Sequence, residues 1–432
     1  MITKQLIEHI EGEASVYFDM DGDKVDFATV VFPHFRGMES ILEQKGALDA
    51  LVLTPRVCGI CGHAHLMATV RALEDAYKQA GYEVRLSQKA QIIREFTLVM
   101  EMIQNHFKWL YMVIMPELSK LLHTPLANKP LKGAYASSLA SKAIALFGGQ
   151  WPHSSYMVVG GITCDPTHME ILQAKNYLRE LIKFFENESL GISLKEFLAL
   201  KSCKDFQSID SDISSIEKGL IEANMHQKGF AHDQFLVLGK HQCTHVGKLK
   251  HTRIFTVDPK FVSTTDSYAP HEKTYAYNAL YKDDYYETGS LARMISTNFP
   301  IIKNMHRRYK DSAYSRVMAR LFETGVLLQH ALELLENIDV TQSSTVEVVN
   351  VQNISAKGIG VVEAPRGPLI HEVILKDGII QNYKIITPTQ FNIGSSIPEH
   401  PTPVQKAMQH NTKEEAEFIF RTFDVCSVCT TH

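Results

Sequence analysis

From residue 14 to residue 32 the chain alternates apolar and polar positions around Asp21-Gly22, a tight-turn dipeptide, and the alternation predicts a β-hairpin. The period then changes. Leu66, Val70, Leu73 and Tyr77 recur at helical spacing until Gly81 supplies a C-terminal stop. A second helical stretch opens at Ser87 and runs with few breakers to Met115, where Pro116 is expected to end it, a length on the order of 43 Å. A helix that long needs neighbours. Candidates are 137–147, closed by Gly148-Gly149, and 167–187, with Asp165 as N-cap and Pro166 in the first position. The longest is 304–338, with Val317, Leu321, Val326, Leu328, Leu332 and Leu335 as apolar surface. Short β-branched runs predict strands between 235 and 262, and 266–288 reads as aromatic-rich and irregular. From Thr345 the pattern returns to β: VEVV, then GIGVVEAPRG, then LIHEVILKDGIIQNYKII, folded at Asp377-Gly378. The Pro-rich 397–404 reads as loop and 413–420 as a last short helix. The expected fold is α+β and predominantly helical, one domain over 1–432. Its β-rich 1–60 is followed by a mainly helical bundle over 61–340 and a β-rich 341–432.

Composition narrows this picture only a little. The 432 residues suffice for a large core, and 45% hydrophobic with 21% charged residues is ordinary for a globular protein. A net charge of −4 with no basic tail gives no reason to expect nucleic acid. The first residues lack the apolar stretch of a secretory signal and no run approaches a membrane span, so the expectation is a cytoplasmic protein.

The seven cysteines carry the chemistry. Residues 56–65 read RVCGICGHAH, with Cys58 and Cys61 in the turn that enters a helix, where amides and the positive dipole end favour thiolate. Two thiolates do not close a four-coordinate shell. The last nine residues, DVCSVCTTH, repeat the spacing with Cys426 and Cys429. A zinc ribbon places its pairs within roughly 20 residues, whereas nearly the whole chain separates these two, so a large domain is expected to close on a metal held between its first and last segments. Four buried thiolates need cationic compensation, and Arg56 and Arg366 are the candidates. Cys164, Cys203 and Cys243 are left over, the last in HQCTH, where His241, Cys243 and His245 alternate; buried free thiols are the plainer reading, and this pattern stays unassigned.

The two pairs, with Arg56 before the first and Asp424 and His432 flanking the second, resemble the large, catalytic subunit of the nickel–iron hydrogenases. The likeness extends through IEGEA (10–14), FRGMESIL (35–42), WPHSSYMVVGGIT (151–163), ETGSLAR (287–293) and EAPRGPLIH (363–371). The resemblance implies that Cys58 and Cys426 are terminal nickel ligands, while Cys61 and Cys429 bridge nickel to an iron that carries carbonyl and cyanide ligands. It implies Arg366 and the neighbouring Pro365 beside this centre, and a proton passed from the sulfur of Cys426 to Glu11. Asp424 and Glu117 would frame the arginine, and His65 would donate a hydrogen bond to a bridging sulfur. Glu39, His432 and the main-chain carbonyl of Ile385 would hold a magnesium ion. Departures from the family are Val425 in place of a proline, Glu117 where aspartate is common, and PTQFN (388–392) in place of a motif that carries tryptophan.

The activity so implied is reversible heterolytic cleavage of H2 to protons and electrons. The chain shows no further four-cysteine set, so a small subunit bearing the iron–sulfur clusters is the implied partner, and a dimer of heterodimers is compatible with this. In the family, an export signal is usually carried on the partner subunit, which leaves export open. Precursors normally continue past the last histidine and are trimmed after nickel insertion, so an end at His432 resembles the processed form; a chain cut at that codon is the alternative. Competing readings are a hydrogen sensor with the same centre, a structural zinc site, and the related quinone-site subunit of respiratory complex I, whose members lack the cysteine set.

Overall fold

The computed structural model describes residues 1–8, 10–124, 129–238, 254–297, 299–345 and 354–431. The HQCTH stretch, VEVV and His432 lie outside the described residues.

The hairpin expected over 14–32 is the pair Ala14–Asp21 and Lys24–Val31, turning at Gly22, and Ile2–Ile7 adds a third antiparallel strand. Ile2–Ile7 was missed because its outer positions are exposed and its run is short. The second sheet is Ala356–Ala364, Gly367–Lys376 and Ile379–Ile386, again antiparallel and in sequence order. It lies on the helix Gly62–Gln79. That approach is close enough to require glycine: a Cβ at Gly358 or Gly360 would come within about 2 Å of the Ala72 and Ala68 carbonyl oxygens, at 2.0 and 1.9 Å.

The long second helix does not stop at Pro116. Gln88–Trp109, capped by the Ser87 hydroxyl, passes through a π turn at Leu110–Ile114 and continues as Met115–Leu122. Pro116 falls in the first turn after the π segment, an early position of the new helical stretch where proline is tolerated. The helix predicted over 304–338 is two, Pro300–Tyr309 and Ala313–Glu336, because Lys310 adopts a positive φ and Ser312 caps a fresh N-terminus. The helix predicted from 167 begins at His168, capped by Thr167 with Glu170 closing the box. Asp165 instead accepts a hydrogen bond from Lys89 at 2.6 Å. The expected 137–147 segment extends back to Pro130 and ends at Gly148, and the last helix is Lys413–Thr422. Within the stretch read as irregular, Tyr277–Tyr281 pairs with Val262–Asp266. A short helix, Pro403–Met408, starts inside the predicted loop. The architecture is α+β, with the helices dominating. Among the described residues no helix is long and apolar enough to cross a membrane.

Candidate metal centre

The first and last segments of the chain run side by side. Glu11 N–H donates to the Val425 carbonyl at 3.3 Å and Ser427 N–H to the Glu11 carbonyl at 2.9 Å, so the two strands form one rung of parallel pairing at Glu11 and Cys426. Gly12 makes this approach possible, since a Cβ there would lie 2.2 Å from the Ser427 hydroxyl, and its φ of +86° suits glycine. Arg36 fixes the same junction from a third direction. Its guanidinium donates to the carbonyls of Val57, Val428 at 3.0 Å and Arg56 at 3.2 Å, and its amide donates to the Thr431 carbonyl. Arg36 therefore spans both cysteine loops, whereas Arg56, expected beside the sulfurs, is exposed and donates to Val52 in its own helical turn.

The consequence is a cage of four sulfurs. Cys58, Cys61, Cys426 and Cys429 are buried, and their Sγ atoms all lie within 4.8 Å of one another. Cys58 and Cys426 are 3.7 Å apart, Cys61 and Cys429 3.4 Å, and Cys426 and Cys429 2.9 Å. A tetrahedron with metal–thiolate bonds of about 2.3 Å has edges of roughly 3.7 Å, so the set fits one thiophilic ion. Burial holds the Cys426 and Cys429 thiols above their ordinary range, and hydrogen bonding with its neighbours raises Cys61 as well. Cys58 falls below its usual range despite burial, because the other three thiols and Arg366 favour its anion. A cation that takes all four as thiolates must displace the remaining protons, so metal uptake by this cage strengthens as pH rises.

Arg366 stands beside the sulfurs with its orientation fixed. Its Nε donates to the Asp424 carbonyl at 2.8 Å and its Nη2 to Asp424 Oδ1 at 3.1 Å. Burial opposes its charge, but Asp424 and the sulfurs of Cys426, Cys61 and Cys58 outweigh that and keep the guanidinium well above its usual range. Asp424 also accepts from Arg320 at 2.7 Å. Arg293 donates to Glu323 and Glu363 and to the carbonyls of Ala364 and Pro365, at 3.1 and 2.9 Å for the carbonyls. Pro365 thus enters the site through its main chain, which Arg320 also grips at 3.3 Å.

Two cavities flank the cage. The smaller is lined by Cys61, Cys426, Cys429, His65, Arg366 and the turn Thr387–Thr389. That turn belongs to the TPTQFN stretch whose lost tryptophan had marked it only as a departure, and here it forms a wall of the site. The larger, about 340 Å3, is lined by Glu11, Asn105, Lys108, Arg366, Arg421 and Asp424 among others, with Met112 contributed by the π turn. Two buried polar atoms on its wall, Arg366 Nη1 and Asn105 Oδ1, have no hydrogen-bond partner. Such atoms are costly to leave bare, and they mark a place shaped for something other than protein.

Glu11 is half-buried on this cavity, and burial, then the charge of Cys58, raises its carboxyl against the pull of Arg366 and Lys108. Glu117 does not line this cavity: its carboxylate pairs with Arg421 at 3.5 Å, whereas Arg366 is held by Asp424. His65 Nδ1 shares a hydrogen bond with His371 Nε2 at 3.0 Å, and His371 Nδ1 continues to the Tyr383 hydroxyl at 2.9 Å. Glu39 accepts the Ile385 amide at 2.6 Å, so the residue expected to offer its carbonyl faces Glu39 along that strand edge.

Glu101 shapes the cysteine turn from behind. It accepts the amides of His63 and Ala64 at 2.8 and 3.0 Å, and Asn105 on the same helix donates to the Ile60 carbonyl at 2.6 Å. Burial pushes the Glu101 carboxyl up to about 8, against these amide bonds. The folded state then holds this proton where the unfolded chain has released it, so the contribution to stability is full below the ordinary carboxylate range and is lost as pH rises toward about 8. Denaturant titrations should show the wild type losing stability against Glu101→Gln over that window, by on the order of 1 kcal/mol per pH unit at most; parallel curves would show that Glu101 is ionised throughout.

Residues 36–115 and 180–432 match the family described as nickel-dependent hydrogenase. The chain belongs to that family. Relatives are 24% identical to it in the sulfhydrogenase 2 subunit alpha of Pyrococcus furiosus, covering 98% of this chain and 96% of that protein. The periplasmic [NiFeSe] hydrogenase large subunit of Desulfomicrobium baculatum is 24% identical, over 89% of this chain and 84% of its own length. The reduced, active form of the Ni-Fe-Se hydrogenase from Desulfomicrobium baculatum superposes with a TM-score of 0.82 at 20% identity, covering all of both chains, and so shares the fold. This hydrogenase large subunit is an oxidoreductase whose four-cysteine cage suits the nickel its family requires.

Proposed function

We propose that this hydrogenase subunit catalyses the reversible heterolytic cleavage of H2, and that the meeting of both cysteine pairs beside Arg366 and Glu11 carries that reading. Cys58 and Cys426 would hold nickel alone, and Cys61 and Cys429 would share it with iron. When bound, a nickel–iron centre with carbonyl and cyanide on the iron supplies the bond cleavage. The chain's own groups do the rest. Arg366, whose Nη1 has no partner, would be a fixed positive donor beside the centre, and Thr387–Thr389 would wall it on the side of the small cavity, with the Pro365 peptide held nearby by Arg293 and Arg320. The Cys426 sulfur holds the proton first, because a guanidinium is almost never neutral. Glu11, whose main chain is paired with Cys426, takes it next, and burial, which raises its carboxyl, makes it a better proton acceptor than an exposed carboxylate. His65, with Nδ1 committed to His371, would reach a bridging sulfur through Nε2 and tune its basicity.

Glu39, the Ile385 carbonyl and His432 would hold magnesium behind the cage. The pinning of Thr431 to Arg36 and the contact of Ile385 with Glu39 support this. Electrons leave for a small iron–sulfur subunit, since the four sulfurs are the one metal-ligating group of this kind among the described residues. An infrared spectrum of the purified protein tests the proposal: bands of metal-bound carbonyl and cyanide are expected, and a spectrum empty in that region from protein with full nickel would refute the iron assignment.

A further inference from the structure

Both hydrogen bonds that orient Arg366 go to one residue: Nε donates to the Asp424 carbonyl at 2.8 Å and Nη2 to Asp424 Oδ1 at 3.1 Å. A guanidinium is planar, so fixing Nε and Nη2 also fixes the direction of Nη1, which has no partner among the described residues. Asp424 in turn needs support. It follows the last helix, Lys413–Thr422, with a φ of +56°, a left-handed conformation that costs a side-chain-bearing residue energy and so depends on the contacts around it.

Arg320 supplies that support. Its Nη2 donates to Asp424 Oδ2 at 2.7 Å and to the Pro365 carbonyl at 3.3 Å. One nitrogen therefore touches both the carboxylate that orients Arg366 and the residue that precedes it. Arg320 is itself anchored. It projects, buried, from the core helix Ala313–Glu336, and its Nε donates to the Ser290 hydroxyl at 3.3 Å. Its guanidinium lies over the Trp109 ring at 4.6 Å, and that indole donates to the Arg421 carbonyl at 3.0 Å. Arg293 also holds the Pro365 carbonyl, but the carboxylates it binds are Glu323 and Glu363 rather than Asp424. We propose that Arg320 is a positioning residue: through Asp424 and the Pro365 peptide it sets where Arg366 directs Nη1. This rests on the hydrogen-cleaving reading of the site and adds a residue that touches neither metal nor substrate.

Infrared spectra and hydrogen uptake of nickel-replete wild type and Arg320→Lys, each purified with its accompanying subunits, test this. Lysine keeps the charge but loses the planar fork that Ser290 and the Trp109 ring hold in place. The bands of metal-bound carbonyl and cyanide are expected to shift, because they sense where the Arg366 charge lies. Turnover should fall by about ten- to a hundredfold with little change in KM for H2, the mark of lost alignment rather than lost binding. In an Asp424→Asn background the same substitution should cost less than about twofold, since the group that transmits its effect is already gone. Wild-type bands and turnover in Arg320→Lys, or an equal loss in both backgrounds, would overturn the proposal and leave the nickel–iron reading standing. Wild-type protein without such bands would overturn that reading and the proposal with it. If the lysine variant fails to fold or to hold nickel, Ser290→Ala decides, because it removes the Nε acceptor and keeps the guanidinium: displaced bands support the proposal and unmoved bands overturn it.

Discussion

Replacing Cys426 by alanine is expected to strip nickel from the purified protein and to abolish hydrogen uptake, a loss of at least about a thousandfold, since without the metal the chain retains no group that cleaves H2. Three thiolates would remain, but the missing one lies between the two halves of the cage, 3.7 Å from Cys58 and 2.9 Å from Cys429. Its removal also opens a buried hole where the first and last segments pair. Cys203→Ala is the matched control, since Cys203 is buried elsewhere in the core, and it should keep both nickel and activity. Metal analysis and hydrogen uptake on the same samples check both outcomes; Cys426→Ala protein with full nickel and full uptake would remove that sulfur from the site.

The second large effect falls on proton movement. Glu11→Gln preserves shape and the main-chain rung to Cys426, so nickel should be retained, yet an amide cannot take up and release a proton at this position. General acid–base groups contribute roughly 10²–10⁴ in rate, and turnover together with proton–deuterium exchange should fall by an amount in that range. Glu11→Asp keeps the acid but draws it back from the cavity, and should fall between the two. The sign with pH also follows: burial and Cys58 raise the Glu11 carboxyl, so the wild-type dependence on its ionisation shifts upward and should vanish in the Gln variant. Unchanged turnover in Glu11→Gln would move the proton route elsewhere.

Much of this site was legible because its chemistry is concentrated in short stretches. Two Cys-x-x-Cys pairs at opposite ends imply that the ends meet, and Gly12, Ser427 and the Glu11 rung show the backbone that brings them together. What escaped were groups whose role comes from packing rather than spacing. Arg56 sits two residues before Cys58 in sequence but turns outward, while Arg36, from a motif noticed only as a likeness, reaches three carbonyls of the two cysteine loops. Asn105, Lys108 and Glu101 lie on one long helix with nothing in the pattern to single them out. Their function depends on which face that helix turns to the cysteine loop. The same helix shows why a breaker rule failed: Pro116 ends a regular helix but is tolerated once a π turn has reset the hydrogen bonding. Asp165 was misread as a cap because it precedes a proline, and its bond to the buried Lys89 depends on a long-range contact that no local pattern reveals.

In the proposed centre one nickel ion is gripped by sulfurs from both ends of the chain. X-ray absorption at the nickel edge measures that directly. Stoichiometric nickel with a first shell of four sulfurs at about 2.3 Å, reduced by one sulfur in any variant that retains metal after loss of a single cysteine, is the result expected. Protein carrying one zinc and no nickel, or nickel whose shell is nitrogen and oxygen, would contradict it.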